Sequence, residues 1–187
     1  MAYALSGDKN AFISDVTSIL EHYPKQSLDV LMNLVGSHDT SRALTLLSGV
    51  KPPASKRERA DFCLSNEQYD LAKRRLKLAS ALQYTLPGIP CVFYGDEVGK
   101  QGYEDPLNRG TYPWGREDSD LLEHYRTLGK FREKYASLLQ GETHFIPDSK
   151  KLIFERTSED GTLRVESQGL RLLAIVNGKT ELSINNE

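Results

Sequence analysis

Two apolar runs, Leu28 to Val35 and Ile89 to Tyr94, do most to limit what this chain can fold into. Each is short enough for a strand and mostly hydrophobic at consecutive positions, the pattern of a strand buried on both faces. The first is followed at once by Gly36, Ser37, His38, Asp39, Thr40, Ser41 and Arg42. A polar cluster at the carboxyl end of such a strand sits where barrels and open α/β sheets place their chemistry. By itself the His38-Asp39 pair is equally satisfied by a turn, with His38 hydrogen-bonded there and Asp39 capping the next helix.

Helical patterns flank and separate the two runs. Residues 8 to 23 carry Phe12, Val16, Ile19, Leu20 and Tyr23 at helical spacing and stop at Pro24. Ser41 to Ser48 starts a short helix, and Lys51 to Cys63, with Pro52 and Pro53, reads as a surface loop. Glu67 to Leu86 is a long helix with Leu71, Leu78, Leu82 and Leu86 on one face, ended by Pro87-Gly88. The order is therefore β then α, twice. From Gly95 to about Asp118 periodicity disappears, and long loops of that kind inside compact domains are usually functional. Residues 119 to 140 give a third long helix with a stripe of Leu121, Tyr125, Leu128, Phe131, Tyr135 and Leu138. After Gly141 the pattern switches to short β runs near 143–147, 151–156, 163–166, 170–176 and 180–184, with hairpin signals at Asp160-Gly161 and Asn177-Gly178.

The second apolar run lies within Leu86-Pro-Gly-Ile-Pro-Cys-Val-Phe-Tyr-Gly-Asp-Glu-Val-Gly99. It is followed by Tyr103, Glu104, Asp105, Pro106, Leu107, Asn108 and Arg109, then Tyr112, Pro113 and Trp114. Together with the Gly36 to Arg42 segment, this resembles the last two barrel strands of the α-amylase family of glycoside hydrolases, most closely its neopullulanase, cyclomaltodextrinase and amylopullulanase members. The resemblance covers about residues 5 to 140. It implies an α/β fold, the C-terminal portion of a (β/α)8 TIM barrel over residues 1–141, followed by a small, shortened antiparallel β domain over 142–187. The barrel would be incomplete, because a full one takes about 250 residues and this chain has 187.

The family implies roles as well. Retaining glycosidases use two carboxyl groups about 5 Å apart, one as nucleophile and one as general acid/base. In this family they sit on the fourth and fifth strands, which would precede Met1, and no segment here resembles either motif. Asp39 matches the family's third carboxylate, the transition-state stabiliser that holds two hydroxyls of the reacting sugar as its ring flattens. His38 matches the neighbouring imidazole that bonds the same sugar. Asp105 and Arg109 match an acid-base pair gripping the next sugar on the non-reducing side, although an exposed i, i+4 salt bridge would use the same two residues. Tyr112 and Trp114 either stack on a sugar face or pin the loop. Asp96 and Glu97 read as structural, since adjacent residues point to opposite faces of a strand. Ser37 stands where many amylases carry Asn, as in the neopullulanase-like members.

The resulting expectation is a C-terminal fragment of a retaining α-glucan hydrolase acting on starch-, pullulan- or cyclodextrin-type substrates, lacking its nucleophile and general acid. The alternative is a non-catalytic carbohydrate-binding or barrel-completing interaction module. The expected partners are an α-glucan oligosaccharide and either a second copy or an N-terminal barrel half. No cofactor is expected, and no metal, since His22, His38, His124 and His144 lack metal-ligand spacing. With 24 basic and 26 acidic residues there is no one-sign field to attract nucleic acid. The cluster of Lys56, Arg57, Arg59, Lys73, Arg74, Arg75 and Lys77 reads as a solvated helix face. No apolar stretch approaches the roughly 20 residues of a membrane span. Two cysteines, Cys63 and Cys91, make no disulfide framework, which points to a reducing, cytoplasmic setting.

Overall fold

The computed structural model describes residues 1 to 186, and capping residues set most of its helix boundaries. A short helix α1 (Ala2–Ser6) leads to α2 (Lys9–His22), which starts at Asp8, whose carboxylate accepts the N–H groups of Asn10 and Ala11, both at 3.0 Å. Pro24 stops α2 and opens α3 (Lys25–Asp29). After β1 (Met32–Leu34) come α4 (Ala43–Ser48), α5 (Lys56–Ala60) and the long α6 (Asn66–Thr85). Reciprocal Ser-Glu and Ser-Gln boxes, Ser55 with Glu58 and Ser65 with Gln68, start α5 and α6 by satisfying otherwise orphaned N–H groups. The first of these boxes places a helix inside the stretch expected to be a plain loop. Then come β2 (Ile89–Cys91) and α7 (Ser119–Lys134), the latter capped by Asp118.

β1 and β2 pair in parallel, Met32 opposite Ile89 and Leu34 opposite Cys91. Here the sequence expectation is corrected. Residues 25–29 are helical rather than part of a strand from 28 to 35, and the second strand ends at Cys91 rather than Tyr94. Nor is β1 buried on both faces, because Met32 is 61% and Leu34 54% exposed. Alternation explains it. Asn33 faces α6, its Nδ2 donating to the carbonyls of Pro87 at 2.7 Å and Gln83 at 3.4 Å, so Met32 and Leu34 point to the opposite, uncovered face. Gln83 of α6 grips both strands from that covered side, donating to the Asn33 carbonyl at 2.6 Å and the Cys91 carbonyl at 2.9 Å. The stripe read on α2 is only partly covered: Phe12 packs against the core, but no residue of that helix is fully buried, and Ile19 and Tyr23 are exposed.

The C-terminal β runs all appear, as β3 (Glu142–Phe145), β4 (Leu152–Ser158), β5 (Gly161–Gln168), β6 (Arg171–Val176) and β7 (Lys179–Ile184). They form one antiparallel sheet in sequence order. The β6–β7 turn has Asn177 at φ 48° and Gly178 at φ 83°, the left-handed conformation that a two-residue hairpin needs and that Asn-Gly supplies. The inner face of the sheet, with Phe154, Leu163, Val165, Leu172 and Ala174, packs into one continuous core with Leu44, Leu47, Leu76, Leu82, Leu121 and Leu128 from the helices.

Buried polar groups fasten these layers. Arg156 is 1% exposed, and its guanidinium donates to the carbonyls of Thr85 at 3.1 Å, Gly141 and Leu139, tying β4 to the end of α6. Burial, helped by the nearby Arg132 charge and opposed by Asp29, pushes its pKa down to about 10. Between α6 and α7, Ser80 Oγ lies 2.8 Å from His124 Nε2, and Asp118 accepts from Lys73 Nζ and Tyr69 OH, both at 2.9 Å.

Candidate functional site

The Gly36 to Arg42 segment turns off the end of β1, and the loop after β2 folds back against it. Gly36 is required there because a Cβ would run into the Asp96 carboxylate. Asp96 belongs to a short 3-10 turn at Asp96–Val98, is 2% exposed, and lies 3.3 Å from Arg42 Nη1. Arg42 is fully buried and organises this corner. Its Nη1 also donates to the Tyr94 carbonyl, its Nε donates to the Asn108 carbonyl at 2.7 Å, and its guanidinium carbon lies 4.1 Å and 4.7 Å from the ring centres of Phe93 and Tyr94. Burial outweighs the attraction of Arg42 and raises the Asp96 pKa to about 6. Asp96 thus has the structural role read for it, and Glu97 turns back to accept from the Gly95 N–H at 2.6 Å.

On this frame sit the four residues predicted to meet a ligand. His38 Nε2 is 3.2 Å from Asp39 Oδ1, with the side chains 61% and 75% exposed. Arg109 Nε is 2.6 Å from Asp105 Oδ1, and both are also open to solvent. The two pairs belong to segments joined by Asn108, whose Nδ2 donates to the carbonyls of His38 at 2.8 Å and Thr40 at 2.7 Å, one on each side of Asp39. Further stitching comes from the Arg42 N–H on the Gly102 carbonyl at 2.8 Å and the Gly102 N–H on Thr45 Oγ1 at 3.0 Å. Arg59, from the basic cluster, pairs with Glu104, and Lys73 and Lys77 pair with Asp118 and Asp120, so these members of the cluster are spent on internal contacts. Tyr112 and Trp114 pack with their rings tilted, 4.5 Å between centres, and Trp114 is 80% exposed.

Both pairs stand open to solvent on segments that Asn108 joins, so the place is an open shelf and not a cleft. Enclosed ligand sites bury most of the ligand's surface, and two clefts lie elsewhere on the molecule. One of about 570 Å³ is lined by Asp70, Lys73, Arg74, Lys77 and Asp120. Another of about 260 Å³ lies between α2, α3 and β3. Among the described residues no group of His, Cys, Asp and Glu is arranged to hold a metal ion. No helix among them is long and apolar enough to cross a membrane. Sequence reasoning missed Arg42 and Asn108 as organisers. Both lie inside the motifs that were singled out, Arg42 as the last residue of the polar segment that follows the first apolar run.

No profile of a known protein family matches the chain. Individual relatives do. An amylopullulanase of Thermoanaerobacter thermohydrosulfuricus is 42% identical over 125 residues, 67% of this chain and 8% of that protein. A cyclomaltodextrinase of a Bacillus species is 34% identical over 151 residues, 78% of this chain and 23% of that protein. Among solved structures, the ligand-free cyclic α-maltosyl-(1→6)-maltose hydrolase of Arthrobacter globiformis superposes with a TM-score of 0.70 at 26% identity, over 89% of this chain and 34% of that one. These are glycosidases that act on α-glucans or their cyclic forms. The chain belongs to the α-amylase family of glycoside hydrolases, and it spans less than a quarter of the length of the two curated relatives named here.

Proposed function

We propose that this chain carries the C-terminal part of the catalytic barrel of a retaining α-glucan hydrolase acting on starch-, pullulan- or cyclodextrin-type substrates. Residues 1–141 are the barrel portion and 142–187 the shortened β domain. Asp39 is the transition-state stabiliser, and His38, Asp105 and Arg109 bind sugar hydroxyls. The observation that carries this reading is the Asn108 bridge, which ties the two motifs into one exposed shelf of charged hydrogen-bonding groups at the ends of two parallel strands. A carboxylate and a guanidinium there match an uncharged, hydroxyl-rich ring, and Asp39 favours the positive charge that develops on it. Asp39 and Asp105 are both assigned to the sugar here, so the reading takes the nucleophile and the general acid/base from elsewhere in the parent enzyme. A cytoplasmic setting is part of the reading, supported by the unpaired Cys63 and Cys91.

The deciding experiment is calorimetric titration with maltoheptaose and β-cyclodextrin, alongside a reducing-sugar assay on starch and pullulan. Weak binding abolished by the Asp39→Ala, Arg109→Ala double variant, with no turnover, is the expected result. Turnover by the chain alone that disappears in Asp39→Ala would sink the claim that the cleaving groups lie elsewhere.

A second reading, a barrel-completing interaction module, is favoured by one feature. Val30, Leu31, Met32, Leu34 and Ile89 are all exposed around the free edges of the two-stranded sheet. Unpaired edges recruit strands, and light scattering should show association that Leu34→Glu weakens.

A further inference from the structure

We infer that Asn108 is a positioning residue of the glucan shelf: its buried side-chain amide sets the orientation of the Asp39 backbone and couples it to the segment that carries Arg109. The inference rests on the reading of Asp39 and Arg109 as sugar-binding groups. Asp39 lies outside regular secondary structure, and its local restraints are weak, the Asp39 N–H on Ser37 Oγ at 3.2 Å and the Thr40 N–H on the Ser37 carbonyl at 3.5 Å. Both bonds are at or beyond the long end of the normal range. Against these stand the two short bonds from Asn108 Nδ2 to the carbonyls of His38 and Thr40. With the His38 and Thr40 carbonyls aimed at one nitrogen, the peptide planes before Asp39 and after Thr40 are both held, and the two residues between them have little freedom left.

The bridge needs this residue type. Two carbonyl oxygens converging on one atom call for two donors and exclude the carboxylate of Asp, which only accepts when ionised. They also fix which way the amide is flipped, leaving Oδ1 on the side where no protein donor reaches it. Asn108 is itself immobilised: it is fully buried, its own carbonyl is held by Arg42 Nε, and Arg42 is pinned by Asp96, the Tyr94 carbonyl and the rings of Phe93 and Tyr94. Arg109 follows it directly in the 3-10 turn Leu107–Arg109. A sugar that orders Arg109 therefore also orders the residue holding Asp39, and the two contacts bind cooperatively instead of independently.

Backbone NMR on the whole chain separates this from a role confined to the 104–110 loop. In Asn108→Ala and Asn108→Asp, the His38 and Thr40 carbonyl shifts should move and the Asp39 amide order parameter should fall from about 0.85 to below about 0.6. Shifts confined to Leu107, Arg109 and their neighbours, with Asp39 still rigid, would overturn the proposal. If neither variant folds, the native chain decides: the Asn108 side-chain amide protons should exchange at least tenfold more slowly than those of Asn10 and Asn186, and should show cross-relaxation to the Asp39 and Ser41 amides. Exchange as fast as at those exposed sites would overturn it too. Maltoheptaose titration is a separate arm. There Asn108→Ala should weaken binding by about tenfold, and the coupling between Asp39→Ala and Arg109→Ala seen in a double-mutant cycle should disappear. If the unsubstituted chain binds no glucan while the NMR signatures hold, the sugar-binding reading fails and the positioning of Asp39 stands.

Discussion

The antiparallel sheet of β3 to β7 and the parallel pair of β1 and β2 show two ways of using apolar strand residues. In the antiparallel sheet β5 and β6 alternate, β4 to β7 follow each other through two-residue turns, and inward residues between Leu152 and Ile184 are buried against the helices. In the parallel pair α4, α5 and α6 lie between the two strands in sequence, only three residues of each pair, and Met32, Leu34 and Ile89 remain open to solvent. A meander closes its own hydrogen bonds locally. A parallel pair needs a crossover and further strands before both of its faces are covered.

The comparison can be tested most sharply where it predicts the largest effect. Phe154→Ala, in the closed sheet, should cost roughly 3–5 kcal/mol in urea unfolding because it empties a fully buried ring site. An effect under about 1 kcal/mol would mean that the sheet is not the stabilising half.

Two buried groups outside the antiparallel sheet should respond to acid with opposite sign. His124, buried between α6 and α7, has its pKa lowered to about 4 by desolvation, from 6.5 in the unfolded chain. Its contribution is present above pH 6.5 and is lost as pH falls toward 4, by about 3 kcal/mol. Asp96, behind the β1–β2 corner, has its pKa raised from 3.8 to about 6, first by burial. Its contribution is full below pH 3.8 and lost as pH rises through 6, so acidification favours it by a similar amount of about 3 kcal/mol. His124→Gln should flatten the decline in unfolding free energy between pH 6.5 and 4, whereas Asp96→Asn should steepen it. Parallel profiles for the three proteins would show that neither group titrates as its surroundings imply.

A smaller effect is expected at the β6–β7 turn. Gly178→Ala must place an L residue at φ 83°, and should lower stability by about 1–2 kcal/mol, measured by thermal unfolding. Smallest is Met32→Ser with Leu34→Ser on the open face. These should shift the unfolding free energy by no more than about 0.5 kcal/mol each while reducing association in light scattering. A loss of several kcal/mol in the monomer would show that this face is covered.

Much of the fold was legible in the sequence where the cause is local. The Asp8 cap, the Pro24 and Pro87 stops and the hairpin residues Asn177-Gly178 act within a few positions, so α2, α6 and the five strands were found close to their observed bounds. The failures follow from the same reasoning turned around. Periodicity marks Phe12, Val16, Ile19, Leu20 and Tyr23 as one face of a helix, but whether that face is buried depends on what lies opposite it. Leu28 to Val35 has the composition of a doubly buried strand, but in a two-stranded sheet one face has no neighbour.

The site divides along the same line. By itself the sequence determined the order of the elements, the charged residue types at the strand ends, and the family to which those motifs belong. Only the tertiary structure decided that Arg42 would be buried against Asp96, that Asn108 would reach back some 70 residues to the carbonyls of His38 and Thr40, and that the four candidate residues would stand on an open shelf. Caps and turns are set by interactions among neighbouring residues, whereas a buried amide bridging two loops exists only once packing has excluded water and left those carbonyls no other donor.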